Sequence, residues 1–187
     1  MDRQLELDLQ KGKSDAFERL FDLYADRLIH LSYAILANTA DVEDVVQDAL
    51  IGFVEALRSG RFRGGNGTVE AYLRRSVRNR CIDRLRQAGR FHLSLDEHDP
   101  TAYEFHDPSL WPSQVLEEKQ LRERFEQEIL HLPDSQRTVV ILRILEQYSY
   151  REISEELHIS IDHVKNLLGR ARKRLRQELE PLFHSER

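Results

Sequence analysis

Between Tyr148 and Arg176 the chain reads YSYREISEELHISIDHVKNLLGRARKRLR, the stretch that limits the fold most. Tyr150, Ile153 and Leu157 share one face of a short helix. His158, Ile159 and Ser160 make a corner, where the Ser160 hydroxyl can accept from an unpaired backbone N–H of a second helix. In that second helix Val164, Leu167, Leu168, Ala171 and Leu175 recur at helical spacing. Opposite them lie His163, Lys165, Asn166, Arg170, Arg172, Lys173, Arg174 and Arg176. Six Lys/Arg and no acid fall between His163 and Arg176. A solvated basic face would account for the charge alone. Turn, cap and one-sided charge together predict a helix-turn-helix whose second helix offers donors to a DNA groove.

The net charge of −5 argues by itself against a nucleic-acid binder. The distribution of that charge argues the other way. Residues 1–60 carry 6 basic and 12 acidic groups, residues 61–90 carry 9 and 2, residues 91–135 carry 3 and 11, and residues 136–187 carry 10 and 8. Two basic blocks parted by acid predict two nucleic-acid contacts, with the remaining surface kept off phosphate and open to a basic protein partner. The lone cysteine, Cys81, excludes an internal disulfide framework and fits a reducing compartment. The polar N-terminus does not read as a signal peptide, and no apolar run is long enough to span a bilayer. A cytoplasmic protein without membrane insertion is expected.

Taken in order, Ser14 opens a helical pattern through Phe17, Leu20, Phe21, Tyr24, Leu28, Leu31 and Ile35. Asp41 stands where an N-cap belongs for a second helix reaching about Arg58, with Val42, Val45, Val46, Ala49, Leu50, Phe53, Val54 and Leu57 inward. Asp44, Gln47, Asp48 and Glu55 remain on its other faces, and spacing alone makes these an ordinary solvated surface. The loop SGRFRGGNGT lacks the Lys-Ser/Thr ending of a phosphate-binding loop. Thr68 is expected to cap a third helix to about Gln87, bearing Arg74, Arg75, Arg78, Arg80, Arg84 and Arg86. So many like charges on one helix need an anion, and nucleic-acid phosphate is the natural candidate. Periodicity fails from Ala88 to Pro112, an acidic, proline-bearing linker. His92, His98 and His106 lie within it, but their spacing matches no metal-ligand motif, and neither metal nor cofactor is expected. A second domain starts at Ser113. Val115, Leu121, Phe125 and Ile129 form one helix, and Val139, Val140, Leu142, Ile144 and Leu145 are the buried positions of the next. Pro181 is expected to end regular structure. The fold class is all-α: two small helical domains, 1–87 and 113–187, joined by the extended linker 88–112, the second domain containing the helix-turn-helix.

Three stretches carry a family likeness: ADVEDVVQDALIGFVEAL, TVEAYLRRSVRNRCIDRLRQ and LPDSQRTVVILRILEQYSYREISEELHISIDHVKNLLGRARKRL. Together they resemble the sigma-70 family of bacterial RNA polymerase sigma factors, in its extracytoplasmic-function group. The resemblance implies that Asp44, Gln47 and Asp48 dock on the clamp helices of core RNA polymerase, which overrides the solvated reading of that face. It implies that Arg78, Asn79, Asp83 and Arg86 belong to the helix reading the promoter minus-ten element. That element is melted, and a base is flipped beside the loop Arg61–Thr68, whose Arg61 and Arg63 join the DNA contacts. Extruding a base costs a few kcal/mol, which a pocket offering stacking and hydrogen bonds offsets. It implies that His163, Lys165, Asn166 and Arg170 meet the minus-thirty-five element as duplex, with Arg172, Lys173 and Arg174 holding phosphates. The partners so implied are core polymerase, promoter DNA as duplex and as melted strand, and an anti-sigma factor.

Several positions depart from the family pattern. Tyr72 replaces a usual tryptophan, Leu50 a frequent phenylalanine, and Ser76-Val77 the usual Ile-Ala. Asp162 places an acid in the first turn of the recognition helix, where it repels phosphate but can accept from cytosine. No catalytic motif is present, so the chain is expected not to be an enzyme. The alternative reading is a stand-alone helix-turn-helix transcriptional regulator.

Overall fold

A computed structural model describes the backbone of residues 3–62, 68–91 and 119–183. All regular elements among these are helical: α1 Arg3–Gln10, α2 Ser14–Leu36, α3 Val42–Arg58, α4 Val69–Gln87, α5 Lys119–His131, α6 Asp134–Ile144, α7 Tyr150–Leu157 and α8 Ile161–Phe183. They fall into two compact units, Met1–Ala88 and Gly89–Arg187. Most of the linker, Val115 and the histidines His92, His98 and His106 lie outside the described residues.

In the first unit α2, α3 and α4 pack on one another in all three pairings. The apolar stripe of α3 is buried along its whole length, with Ala49, Leu50 and Phe53 at 0 % exposure. Leu73, Val77, Cys81 and Leu85 meet it from α4. Each large aliphatic side chain withdrawn from water in this way contributes roughly 1.5–3 kcal/mol. Phe21, assigned to the apolar pattern of α2, instead stands exposed.

The helix α1 has no counterpart in the periodicity of the sequence. Leu5 and Leu9 bury completely, one turn apart, against α2 and α3. Arg58 Nε donates to the Leu9 carbonyl at 3.0 Å, a second bond to an acceptor that the Gly12 N–H already meets at the helix end. The chain then reverses at Gly12, whose φ of +74° suits glycine; a Cβ there would also come within 3.2 Å of the Arg58 guanidinium. Asp41, expected to cap α3, makes no side-chain cap hydrogen bond. Its carboxylate accepts from Arg84 Nη1 at 2.7 Å, because a full positive charge outcompetes a backbone N–H for the same oxygens. The cap on α4 forms as expected, Thr68 Oγ1 accepting from Ala71 N at 3.1 Å.

The second unit is organised around α6, whose residues Ser135 to Leu142 are all buried. Val139, Val140, Ile141 and Leu142 are wholly enclosed, packed by Phe125 and Ile129 of α5, Ile153 and Leu157 of α7, and Val164, Leu168, Ala171 and Leu175 of α8. Leu145, expected inside, is 53 % exposed, because α6 stops at Ile144 and the chain turns out toward Gln147. Arg137 is 2 % exposed and clamps the α5–α6 turn: it donates to the carbonyls of Leu132, at 2.7 Å, and Leu130, and pairs with Asp134. Burial lowers its pKa and the Asp134 charge opposes that shift. α8 continues through Pro181 to Phe183; a proline this near the end disturbs only the last turn.

Two outcomes follow from these contacts. Burial pushes the Cys81 thiol up to about 12, so the native chain at pH 8 should resist thiol-alkylating reagents, and unfolding in urea should restore one reactive thiol per chain. Arg137→Met should destabilise the second unit by about 1–3 kcal/mol, since it strands two carbonyls and leaves the Asp134 carboxylate to Arg90 alone; urea titration of the helical circular dichroism signal measures it.

Candidate nucleic-acid interface

The helix-turn-helix is assembled by short-range hydrogen bonds. A reciprocal capping box starts α7: Ser149 Oγ accepts from Glu152 N at 3.2 Å, and Glu152 Oε2 accepts from Ser149 N at 2.7 Å. Its signature, Ser-x-x-Glu, stands in the sequence and is a start signal that apolar spacing alone does not use. His158 ends α7 in the left-handed region at φ 55°, and its N–H reaches Ser154 O. Ser154 Oγ then donates to the Ile159 carbonyl at 2.5 Å. Ser160 opens α8 as expected, its hydroxyl accepting from His163 N at 3.1 Å. Arg143 supports the approach to α7: it donates to Tyr148 O at 2.9 Å, and its guanidinium lies 5.4 Å from the Tyr150 ring centre.

The polar residues of α8 do not form one uniform face. Lys173, Arg174 and Arg176 are exposed, and Lys165, Asn166 and Arg170 are half-buried. Lys165 pairs with Asp162 at 3.1 Å, so that acid offsets the first basic group of the helix. Arg172, expected to hold phosphate, is only 6 % exposed. Helical spacing explains this: it falls one turn after Leu168 and three residues before Leu175, on the inner stripe. Burial therefore removes Arg172 from the phosphate contacts. His163 has a lowered pKa, chiefly from burial and secondarily from Arg170, so its imidazole is neutral near pH 7. Its Nε2 and the Asn166 Oδ1 are buried without a hydrogen-bond partner. These two groups, one turn apart, have unspent hydrogen-bonding capacity at the N-terminal part of the recognition helix.

In the first unit, Asp44, Gln47 and Asp48 are all exposed on α3, as a docking face requires. On α4, Asn79, Asp83 and Arg86 are exposed and Arg86 pairs with Asp83 at 3.6 Å. Arg78 is 1 % exposed, which removes it from the DNA-facing set. It shares the stripe of Ile82 and Leu85, at i+4 and i+7, and spacing outweighs its place in the motif. Part of the arginine charge on α4 is compensated from within the protein: Arg84 by Asp41 at 2.7 Å and Arg80 by Asp48 at 3.5 Å. The anion that the sequence calls for is thus supplied in part by carboxylates of the protein, beside the expected phosphate. Arg61 is exposed, and its Nε donates to Ser59 Oγ at 2.9 Å; Arg63 lies outside the described residues. Beside Arg61, the rings of Phe53, Phe62 and Tyr72 meet pairwise at 5.1–5.6 Å, edge-on or tilted. Phe53 is buried and Tyr72 is 36 % exposed, so the trio braces an outward aromatic surface of the kind on which unpaired bases stack.

Among the described residues no helix is long and apolar enough to cross a membrane, and no group of three or more His, Cys, Asp or Glu is placed to hold a metal. Residues 20–91 match the family model of sigma-70 region 2, and residues 122–175 that of sigma-70 region 4. The chain is 30 % identical to the ECF RNA polymerase sigma factor SigW of Bacillus subtilis, over 93 % of this chain and 94 % of SigW. It is also 30 % identical to the RNA polymerase sigma-H factor of Pseudomonas aeruginosa, over 97 % of this chain and 95 % of that one. In fold it is similar to the sigma factor RpoE crystallised with the anti-sigma factor NepR from Bartonella quintana, with a TM-score of 0.52, 20 % identity, and coverage of 91 % of this chain and 98 % of that one. Two ordered region models and full-length relatives together show that this chain belongs to the sigma-70 family of RNA polymerase sigma factors, in its extracytoplasmic-function group.

Proposed function

We propose that this sigma factor binds core RNA polymerase through Asp44, Gln47 and Asp48 and meets promoter DNA with α4 and α8. Residues 1–87 then carry polymerase docking, minus-ten recognition and melting. Residues 88–112 form the linker, and residues 113–187 read the minus-thirty-five element. The observation that carries this reading is the separation of faces in the first unit. One exposed side of α3 presents carboxylates, while α4 turns Asn79, Asp83 and Arg86 outward beside an aromatic surface. Acid suits a basic protein helix, and the aromatic and amide groups suit unpaired bases.

In the second unit, Arg170, Lys173 and Arg174 share a face at i, i+3 and i+4, fit for phosphates or a guanine edge. His163 and Asn166 are half-buried neutral residues on the same helix, able to meet base edges only with the parts of their side chains left exposed, while Lys165 acts with its partner Asp162. The chain lends the polymerase sequence recognition and catalyses no step itself, which places its work in the cytoplasm with core enzyme. An anti-sigma protein is inferred as a further partner, by analogy with the related sigma factor solved in such a complex.

A gel shift on a promoter library, with and without core polymerase, tests the reading. Specific complexes should form only with core enzyme present. Tight operator binding by the chain alone would favour a stand-alone regulator instead. Asp48→Arg should abolish capture by core polymerase in a pull-down while leaving the helical circular dichroism signal unchanged. Arg170→Ala should weaken promoter complexes by about 1–3 kcal/mol if its guanidinium reads a base, measured by titrating holoenzyme onto a selected promoter.

A further inference from the structure

Asp48 serves two neighbours. It lies exposed on the α3 face assigned to docking, and it also pairs with Arg80 of α4 at 3.5 Å. The pair sits in an open polar groove of about 230 Å³ lined by Val45, Asp48, Arg80, Asp83, Arg84 and Gln87. Gly52, one helical turn beyond Asp48, lets the arginine lie close: a Cβ there would stand 3.2 Å from Arg80 Nη2.

The two arginines of the groove are held differently. Arg84 makes a hydrogen bond of 2.7 Å to Asp41. Arg80 has the longer ion pair, and its Nε–H is buried with no acceptor. A donor left unspent makes the resting pose of Arg80 costly, so a better acceptor nearby would draw the side chain away. Arg80 lies one turn before Asp83, an outward residue of α4 that lines the same groove, so its long side chain starts beside the proposed DNA surface.

We propose that Arg80 is a further promoter-phosphate contact, held in reserve by Asp48 until a basic partner engages that carboxylate. The proposal rests on reading α3 as the docking face and α4 as the DNA-facing helix. A partner cation at Asp48 takes up the negative charge that retains Arg80. The guanidinium then moves from the groove to a phosphate of the melted strand. The coupling is reciprocal: DNA that captures Arg80 leaves Asp48 more strongly attractive to the partner. Asp48 is exposed and Arg80 partly so, and the effect is a tuning of affinity rather than an all-or-none switch.

The test uses a fluorescent single-stranded minus-ten oligonucleotide, selected from the promoter library, with the full chain alone and in holoenzyme. In the free chain Asp48→Asn should tighten binding about two- to five-fold, and adding Arg80→Gln should cancel the gain. In holoenzyme Arg80→Gln should reduce the slope of log affinity against log salt by about 0.7, the loss of one single-strand phosphate contact, whereas in the free chain the same substitution should leave the slope unaltered. An Asp48→Asn chain with unchanged oligonucleotide affinity would overturn the proposal. So would an Arg80→Gln effect of equal size with and without core, or Arg80→Gln weakening assembly with core, which would make Arg80 a brace for the docking face. If wild-type chain failed to assemble with core, the docking reading would fall as well. That result is read from assembly alone, before any DNA is added.

Discussion

The contact between α3 and α4 governs the first unit. Phe53, Leu50 and Val46 on one side and Leu73, Val77 and Leu85 on the other are withdrawn from water almost entirely. That apolar seam leaves each helix only its outer arc for function. On α3 the arc is acidic, and on α4 it mixes arginine, asparagine and aspartate. Along the edge where the arcs meet, Asp41 and Asp48 face Arg84 and Arg80. Packing thus sets the distance between a protein-binding surface and a nucleic-acid-binding one, and charge is matched at their border.

The second unit solves a related problem by different means. Its recognition helix must present polar groups outward while standing on a small core. α6 supplies that core, fully enclosed, and the polar residues at its start are buried with it. Arg137 makes this tolerable by satisfying two carbonyls and a carboxylate at the α5–α6 turn. The corner between α7 and α8 is held by the side-chain oxygens of Ser154 and Ser160, and the start of α7 by that of Ser149, each within a few residues of its partner. Local bonding of this kind makes the angle between the two helices a property of the sequence nearby.

That locality explains which features are legible in the sequence. The Ser160 cap, the corner and the inner stripe of α8 all depend on residues a few positions apart. The stripe of α3 is legible for the same reason, as is the Thr68 cap. What escapes depends on distant residues or on two rules in conflict. Asp41 looks like a cap until Arg84, 43 residues later, is brought beside it. The arginines of α4 look uncompensated until α3 lies against them. Arg78 and Arg172 sit at inward positions by helical spacing, yet a motif in one case and a run of like charge in the other draw them to the surface reading. Leu5 and Leu9 are one inward apolar pair in a polar decapeptide, too little periodicity to mark α1 without knowing the surface that receives it.

The seating of α1 has a consequence for the order in which the molecule comes together. Its closing hydrogen bond joins Leu9 to Arg58, across 49 positions of chain. During synthesis α1 leaves a ribosome before α3, and has no finished surface to rest on until α3 has followed it. Leu5 and Leu9 must wait in solvent while α2 and α3 are added, few enough apolar groups to do so without clumping. α1 is thus among the last parts of the first unit to settle.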